Sequence, residues 1–595
     1  MFYLFISILC LFLVLFFRVV FLSFLNPHAT DTKHDKRIQR GVIYDKRGNE
    51  LAISQDSSTV GINPPKVFDI AYTASQISPY VSIPAEKIEA IIREKGNYFL
   101  LKREIDNKIA KKIMNLKLPG VRIEKEFKRV YPNNTLASNL LGFTGMDDNT
   151  ALAGLEYIYH KELYSLEDSD TLRGNNIHLS IDKLIQYRLE SALQKAFIET
   201  NSKKAVGVFM NVHTGEILAM ASFPNFDPNH YNEYPVEART NWAIRHVYEP
   251  GSTMKIFMAM LLLNENQIDF NEKFYCPGYV EFGDRVVRCS DTHGLADLDE
   301  ILQYSCNVGI IKAIRKIPDA TIYKYLKMFK FGEKTGLADN ENQGYFPELP
   351  EWNPSTAYFM AIGQGISVTP IQLITSAATV VNGGKILTPI VVTHITDSYG
   401  NVVKKFHQEP KQIGIHEKTT KHMLKALTKV VSSGTGKNAY IQDFAIGGKT
   451  GTGQKAKPGR GYSDGLINAS FLGFFPANDP QIVGLILFDE PGGIRHTGGG
   501  IAAPVFKKVV ERILPIIDFH EATPSYSLKQ ISVRFAKNDP SKVPNFIGST
   551  LKEVLLLSSQ YKVKLKVYGT GYCYEQIPVS NSPVEEGEVW KLYFK

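Results

Sequence analysis

Glu249-Pro-Gly-Ser-Thr-Met-Lys255, followed by the apolar run Ile256 to Leu263, decides how the rest of the chain is read. Pro250 and Gly251 break the preceding segment, and the run after them reads as a buried helix. Ser252 and Lys255 stand three positions apart at its start, so hydroxyl and amine share a face. A serine in that position needs a base to become a nucleophile. A lysine desolvated by the apolar run and set near other cations loses affinity for its proton, so its neutral amine can take the Ser252 proton without a histidine. The pair alone is not specific, because Ser-x-x-Lys recurs at Ser180 to Lys183 and at Ser549 to Lys552.

Two further elements follow in order. Ser305-Cys306-Asn307 lies between two expected helices, Leu298 to Tyr304 and Val308 to Ile314, on a connection from which short side chains can reach into a cleft. A polar turn between helices is the plain alternative for this tripeptide. Lys449-Thr450-Gly451 sits in a glycine-rich stretch ahead of expected strands at Ser470 to Phe475 and Ile482 to Phe488, which places it on an edge strand. A second Lys-Thr-Gly at Lys334 follows a helix and leads into irregular chain, so it reads as a decoy. Ser-x-x-Lys, Ser-x-Asn and Lys-Thr-Gly in this order form the signature of penicillin-binding proteins and related serine β-lactamases.

Other classes fit poorly. With 68 Lys and Arg against 60 Asp and Glu in 595 residues, the net charge is +8, without a dominant basic block, so no nucleic-acid footprint is visible. Gly448-Lys449-Thr450 ends like a phosphate-binding loop, but that motif needs a glycine where Asp443 stands and a helix where strands follow. No His-Glu-x-x-His and no cysteine pair at ligand spacing is present, so neither a metal nor a cofactor is expected. Five cysteines do not make a disulfide framework; Cys276 and Cys289 either pair in an exported protein or remain free buried thiols.

The length suggests three or four domains. Phe2 to Leu25 is nearly continuous apolar sequence, broken by Arg18, and reads as a single transmembrane anchor over residues 1–25. A cleaved signal peptide is the rival, against which stand the missing basic leader and the lack of a small-x-small site. Lys33, Lys36, Arg37 and Arg40 follow the run, which by charge alone would keep the bulk of the chain inside. Arg40 to Ala52 reads as a hairpin around Lys46-Arg-Gly-Asn49. From Asn176, a strand, a helix capped by Asp182 and a hairpin through Val206 to Met220 point to an antiparallel sheet packed by helices. A closing helix spans Ala502 to Leu514, residues 516–541 read as a linker containing a strand, and residues 542–595 as a small α+β unit.

From Arg40 to about Leu514 the chain resembles the class B penicillin-binding proteins. The hairpin, Leu101-Lys-Arg103, Arg129-Val-Tyr-Pro132, Leu141-Gly-Phe-Thr-Gly145 and Gly154-Leu-Glu156 are similar to that family's non-catalytic pedestal, here residues 26–175. Phe223-Pro-Asn-Phe-Asp-Pro-Asn229, Gly363-Gln-Gly-Ile-Ser-Val-Thr-Pro370 and Ala502-Ala-Pro-Val-Phe506 carry the likeness through a transpeptidase domain, residues 176–515. The C-terminal unit resembles one PASTA module; a plain spacer is the alternative. The resemblance implies a multidomain α+β protein held in the bacterial plasma membrane with its catalytic domain outside the cytoplasm. It would cross-link peptidoglycan stem peptides ending in D-Ala-D-Ala and be inhibited by β-lactams.

By the same resemblance Ser252 would be the nucleophile, Lys255 its base, Ser305 a proton relay and Asn307 a holder of the substrate amide. Lys449 and Thr450, with Gly451 and Thr452 on the same strand, would bind the terminal carboxylate and complete the oxyanion hole. Gly448-Lys-Thr-Gly-Thr-Gly453, Ser470-Phe-Leu-Gly-Phe-Phe-Pro476 and the tail look like the septal subgroup, which implies a SEDS-family polymerase and division proteins as partners. An elongation-type enzyme, a β-lactam sensor or hydrolase, and a non-catalytic division scaffold are the alternatives. Between Asn307 and Lys449 no Glu-x-x-Leu-Asn segment of the kind that carries a β-lactamase's deacylating glutamate is present.

Overall fold

The computed structural model describes residues 38–145, 150–164, 173–282, 285–455, 465–493, 497–517 and 541–594, the last without 548, 550–553, 555–557, 559, 560, 562, 570–572, 585 and 586. The expected anchor and the strand expected in the linker lie outside these residues, as does most of the helix expected over Leu551 to Leu557. Among the described residues no helix is long and apolar enough to cross a membrane. The chain divides into two compact units, Met1–Asp518 and Phe519–Lys595.

The first unit is built on two sheets. The hairpin expected near residue 46 forms between Ile43–Tyr44 and Glu50–Ile62. Asp45 Oδ1 accepts from the N–H groups of Arg47 (2.9 Å) and Asn49 (2.7 Å), while its other oxygen accepts from Lys183 N at 3.1 Å. Arg47 Nε donates to Asp182, which caps the helix Lys183–Thr200 through Leu184 N and Ile185 N. The turn is thus tied to a helix N-terminus more than a hundred residues away.

Strand Glu50–Ile62, 13 residues long, is the spine of the region expected as pedestal: Val121–Val130 runs antiparallel along it from Ile53↔Val130 to Ile62↔Val121, and Phe99–Ile105 pairs with its far half. Alternate side chains Val60 and Ile62 meet Ile77, Ile88 and Ile113 from three helices in a small separate core. The near end of the sheet continues through Ile43–Tyr44, parallel to Asn176–Leu179, into Val392–Thr396 and Val402–Lys405. The regions expected as pedestal and transpeptidase therefore share one seven-stranded sheet. Where they meet, Glu156 is fully buried between Arg40 Nε (2.5 Å) and Arg129 Nε (2.7 Å), and Arg129 also donates to Gly41 O.

The second sheet is fully antiparallel, in the order Gly447–Gln454, Ile467–Phe475, Ile482–Asp489, Lys204–Asn211, Ile217–Phe223. Every residue of Ile467–Phe475 and Ile482–Asp489 is buried, as expected of strands covered on both faces. The period of two separates the faces. Phe471 and Phe475 turn to Phe506 of the closing helix Ala503–Ile513. Leu472 and Phe474 turn the other way, to Ile256, Ala377 and Leu427 on helices Lys255–Asn264, Pro370–Val381 and Glu417–Ser433. All ten residues of Lys255–Asn264 are buried, in agreement with its apolar sequence.

In the C-terminal unit Val589–Phe594 lies between Lys564–Tyr568, to which it is parallel, and Cys573–Ile577, antiparallel. Trp590 anchors its core against Phe546 and Tyr561.

Candidate active site

Ser252 stands in a 3-10 turn, Gly251–Met254, that runs directly into the buried helix beginning at Lys255. The turn is pressed between two backbones. Gly251 N donates to Gly363 O at 3.1 Å, and a Cβ on Gly363, whose φ is +77°, would lie 2.0 Å from Gly251 O. On the other side Thr452 and Gly453 of the edge strand approach Gly251 so closely that its own Cβ would meet them at 2.9–3.0 Å. Backbone approach this tight admits only glycine, which explains the glycines packed on both sides of the Ser252 turn.

Lys255 Nζ is buried at the centre. It lies 3.0 Å from Ser252 Oγ, 3.1 Å from Ser305 Oγ, 2.6 Å from Ser305 O and 2.6 Å from Asn307 Oδ1. Ser305 ends the connection after helix Leu298–Gln303 in a left-handed conformation (φ 59°), which a serine adopts only when its surroundings hold it there. Asn307 is the first residue of helix Asn307–Ile314, and its Nδ2 donates to Arg288 O at 2.9 Å.

Lys449 pairs with Leu472 across the edge strand, and cross-strand partners share a face, so its side chain points to helix Lys255–Asn264. Lys449 Nζ donates to Ser305 Oγ at 2.9 Å. Ser305 thus bridges the buried amines of two lysines. Desolvation lowers the Lys255 pKa to about 8, opposed by Cys306 and Cys289. Lys449 is pushed well down by burial and then by the charge on Lys255. Two cations sharing one hydroxyl in a water-poor pocket disfavour double protonation, so one of the pair is readily neutral.

The structure brings Ser252, Lys255, Ser305, Asn307 and Lys449 into one hydrogen-bonded cluster, with Thr450, Gly451 and Thr452 on the adjoining strand. Lys334 is not among them: it is exposed, in a loop, and donates to Asp339 O. Sequence reasoning missed Thr435, whose hydroxyl accepts from Thr450 Oγ1 at 3.0 Å, and Gly498, whose N–H donates to Thr452 Oγ1 at 3.3 Å. The glycine run 498–500 was the available signal. It also missed a donor cluster. Cys276, Cys289, His293 and Cys306 have their ligand atoms within 4.8 Å of one another, although no two of the cysteines sit at a usual ligand spacing. The expectation of no metal-type grouping rested on sequence distance, and a short hairpin nested inside a second two-stranded ladder folds that distance away.

Residues 205–511 match the family described as the penicillin binding protein transpeptidase domain, and residues 36–174 the penicillin-binding protein dimerisation domain. The chain is 32% identical over 586 residues to stage V sporulation protein D of Bacillus subtilis (93% of this chain, 90% of the relative). It is 28% identical over 542 residues to the peptidoglycan D,D-transpeptidase FtsI of Escherichia coli K12 (85% and 90%). In fold it is similar to penicillin binding protein 2X of Streptococcus thermophilus, with a TM-score of 0.69 at 20% identity, covering 94% of this chain and 90% of that one. A peptidoglycan synthetase of Bifidobacterium adolescentis gives 0.65 at 23% identity, covering 82% and 97%. The chain belongs to the class B penicillin-binding proteins, transpeptidases in which a dimerisation domain precedes the catalytic one.

Proposed function

We propose that the protein is a peptidoglycan D,D-transpeptidase working through an acyl-enzyme on Ser252. The observation that carries the reading is the amine of Lys255, buried, lowered in pKa and 3.0 Å from Ser252 Oγ. Ser252 Oγ attacks the carbonyl carbon between two terminal D-alanines while neutral Lys255 takes its proton. The oxyanion is met by the N–H groups of Ser252 and Thr452. As the C–N bond breaks, Ser305 passes a proton to the departing D-alanine amine and is resupplied by Lys255, leaving an ester on Ser252. The amine of a second stem peptide then attacks the ester, forms the cross-link and returns the proton to Ser252.

Lys449 and Thr450 receive the terminal carboxylate of the donor peptide, with Asn307 holding its amide. An arriving carboxylate favours charged Lys449, and a charged Lys449 further disfavours a proton on Lys255, so substrate binding prepares its own base. Lys449→Ala should therefore slow acylation by a fluorescent penicillin about 10- to 100-fold, the worth of one charge-assisted bond. Lys334→Ala should label like wild type, and equal losses in both variants would remove Lys449 from this role. Acylation should also climb with pH as Lys255 loses its proton, with a midpoint near 8. Stopped-flow acylation rates that stay flat between pH 6 and pH 10 would contradict a lysine base.

The septal branch is the reading favoured by the residue pattern around Lys449 and Ser470, with the protein anchored by residues 1–25, its catalytic domain outside the cytoplasm and a SEDS-family polymerase as partner. Depleting the protein should produce filaments. Rounded cells would place it with the elongation enzymes instead.

A further inference from the structure

Beside the catalytic cluster lies a second set of reactive side chains that the transpeptidase reaction does not use. Cys276 ends the strand Phe274–Cys276, Cys289 follows the hairpin Tyr279–Phe282/Arg285–Arg288, His293 precedes the strand Gly294–Ala296, and Cys306 is the middle residue of Ser305-Cys306-Asn307. The sulfurs of Cys276 and Cys289 are 3.7 Å apart, those of Cys289 and Cys306 3.8 Å, and Cys276 Sγ is 3.6 Å from His293 Nδ1. The cysteines are free. Donors arranged tetrahedrally about 2.3 Å (sulfur) and about 2.0 Å (nitrogen) from a common centre lie about 3.7 Å apart between sulfurs and about 3.5 Å between sulfur and nitrogen. Three of the six edges match such a tetrahedron, and all four ligand atoms lie within 4.8 Å of one another.

The surroundings suit thiolates. Cys289 Sγ accepts from Asn307 N at 3.2 Å and Val308 N at 3.4 Å, and Cys306 Sγ accepts from Gly309 N at 3.1 Å, so the first turn of helix Asn307–Ile314 turns its free N–H groups onto two of the sulfurs. Backbone N–H groups aimed at ligand sulfur orient it and stabilise its negative charge. Cys276 and Cys306 are fully buried, and three thiols packed this closely in an apolar wall gain most by sharing one cation.

We propose that Cys276, Cys289, His293 and Cys306 form a closed, structural Cys3His site for Zn2+. Three thiols lose their protons on binding, and neutral His293 completes the fourth position through Nδ1. All four positions are taken by protein, so the ion is shielded from substrate and its work is positioning. It fastens the hairpin and the two-stranded ladder around it to the segment that carries Ser305 and Asn307. Cys289 receives the main-chain N–H of Asn307 while its neighbour Arg288 receives the side-chain amide, so both handles on Asn307 depend on where the Cys289 segment sits. The ligand Cys306 also adjoins the left-handed Ser305, whose conformation is held from one side by the metal and from the other by Lys255 and Lys449.

The test is elemental analysis of the full chain purified in detergent without chelator, followed by exchange with Co2+ as a spectroscopic probe. About one zinc per chain is expected, replaced by cobalt with the visible bands of a tetrahedral thiolate site. Cys276→Ser and His293→Ala, which leave the catalytic side chains in place, should each lose the bound metal. Their penicillin acylation should fall about 10- to 100-fold, the usual loss when a metal's supporting shell is broken. Wild-type protein that holds less than about a tenth of an equivalent of zinc and gives no cobalt bands, or whose as-purified Cys276 and Cys289 are joined in a disulfide, would overturn the proposal. Zinc-free wild-type protein that still acylates at full rate would refute the metal site and leave the transpeptidase reading standing. A metal-loaded protein that never acylates would do the reverse.

Discussion

Ser252→Ala should remove all covalent penicillin labelling from a protein that still melts as wild type does. The acyl ester has only Ser252 Oγ on which to form, and removing one oxygen from the 3-10 turn leaves the neighbouring backbone contacts of Gly251 intact. Lys255→Ala should come next in severity, slowing acylation about 10²–10⁴-fold, the range that a positioned general base supplies. Its amine also bonds Ser305 and Asn307, so the variant loosens both. Lys255→Arg keeps the charge but cannot act as a base near neutral pH, and should be nearly as slow. Fluorescent-penicillin gels with melting curves decide the matter: labelling of Ser252→Ala at the wild-type rate would remove the nucleophile from the account.

The largest expected effect on stability lies away from the active site. Glu156→Gln should destabilise the first unit by about 3–5 kcal/mol, because it leaves the buried Arg40 and Arg129 without the charge that compensates them. Burial alone would raise the Glu156 pKa, but Arg129 and Arg40 overcome it and hold the carboxyl below its ordinary range. A depressed folded pKa contributes stability above the unfolded value of about 4.3, and that contribution is lost as pH falls through the folded value. The wild type should therefore be more acid-sensitive than Glu156→Gln, relative to each protein's own stability at pH 7. Urea unfolding at pH 7 and below about pH 4 measures this; a difference under about 0.5 kcal/mol at pH 7 would mean the triad carries no net stabilisation.

Glu156 also marks where sequence reading ends. Gly154-Leu-Glu156 is recognisable as a family segment, but nothing local says that its carboxylate meets Arg40 and Arg129, because one partner comes from the chain ahead of Ile43–Tyr44 and the other from strand Val121–Val130. The residues of the hydrogen-bonded cluster were legible for the opposite reason. Ser252 and Lys255 stand one helical turn apart, and Lys449 is placed by strand period and glycine content, which are local properties. Ser305 and Asn307 were legible as a tripeptide between two helices, whereas the left-handed backbone of Ser305 was not. The hairpin around Lys46 and the Asp182 cap were each readable, but their joining through Arg47 was not. The pedestal and transpeptidase regions read as separate segments because a parallel pairing such as Ile43–Tyr44 with Asn176–Leu179 leaves no mark in either strand. The same holds for Cys276, Cys289, His293 and Cys306, whose proximity depends on a hairpin and the ladder around it closing against a helix N-terminus.

The claim on which the functional account turns is that one long-lived ester forms on Ser252. Its most direct test is intact-mass spectrometry of the full chain after a brief penicillin pulse, followed by proteolysis and mapping of the adduct. The account predicts a single penicilloyl increment on the peptide containing Ser252, still present after the free drug is removed, because no Glu-x-x-Leu-Asn segment supplies a deacylating base between Asn307 and Lys449. An adduct on any other residue, no adduct at all, or loss of the adduct within seconds would contradict it.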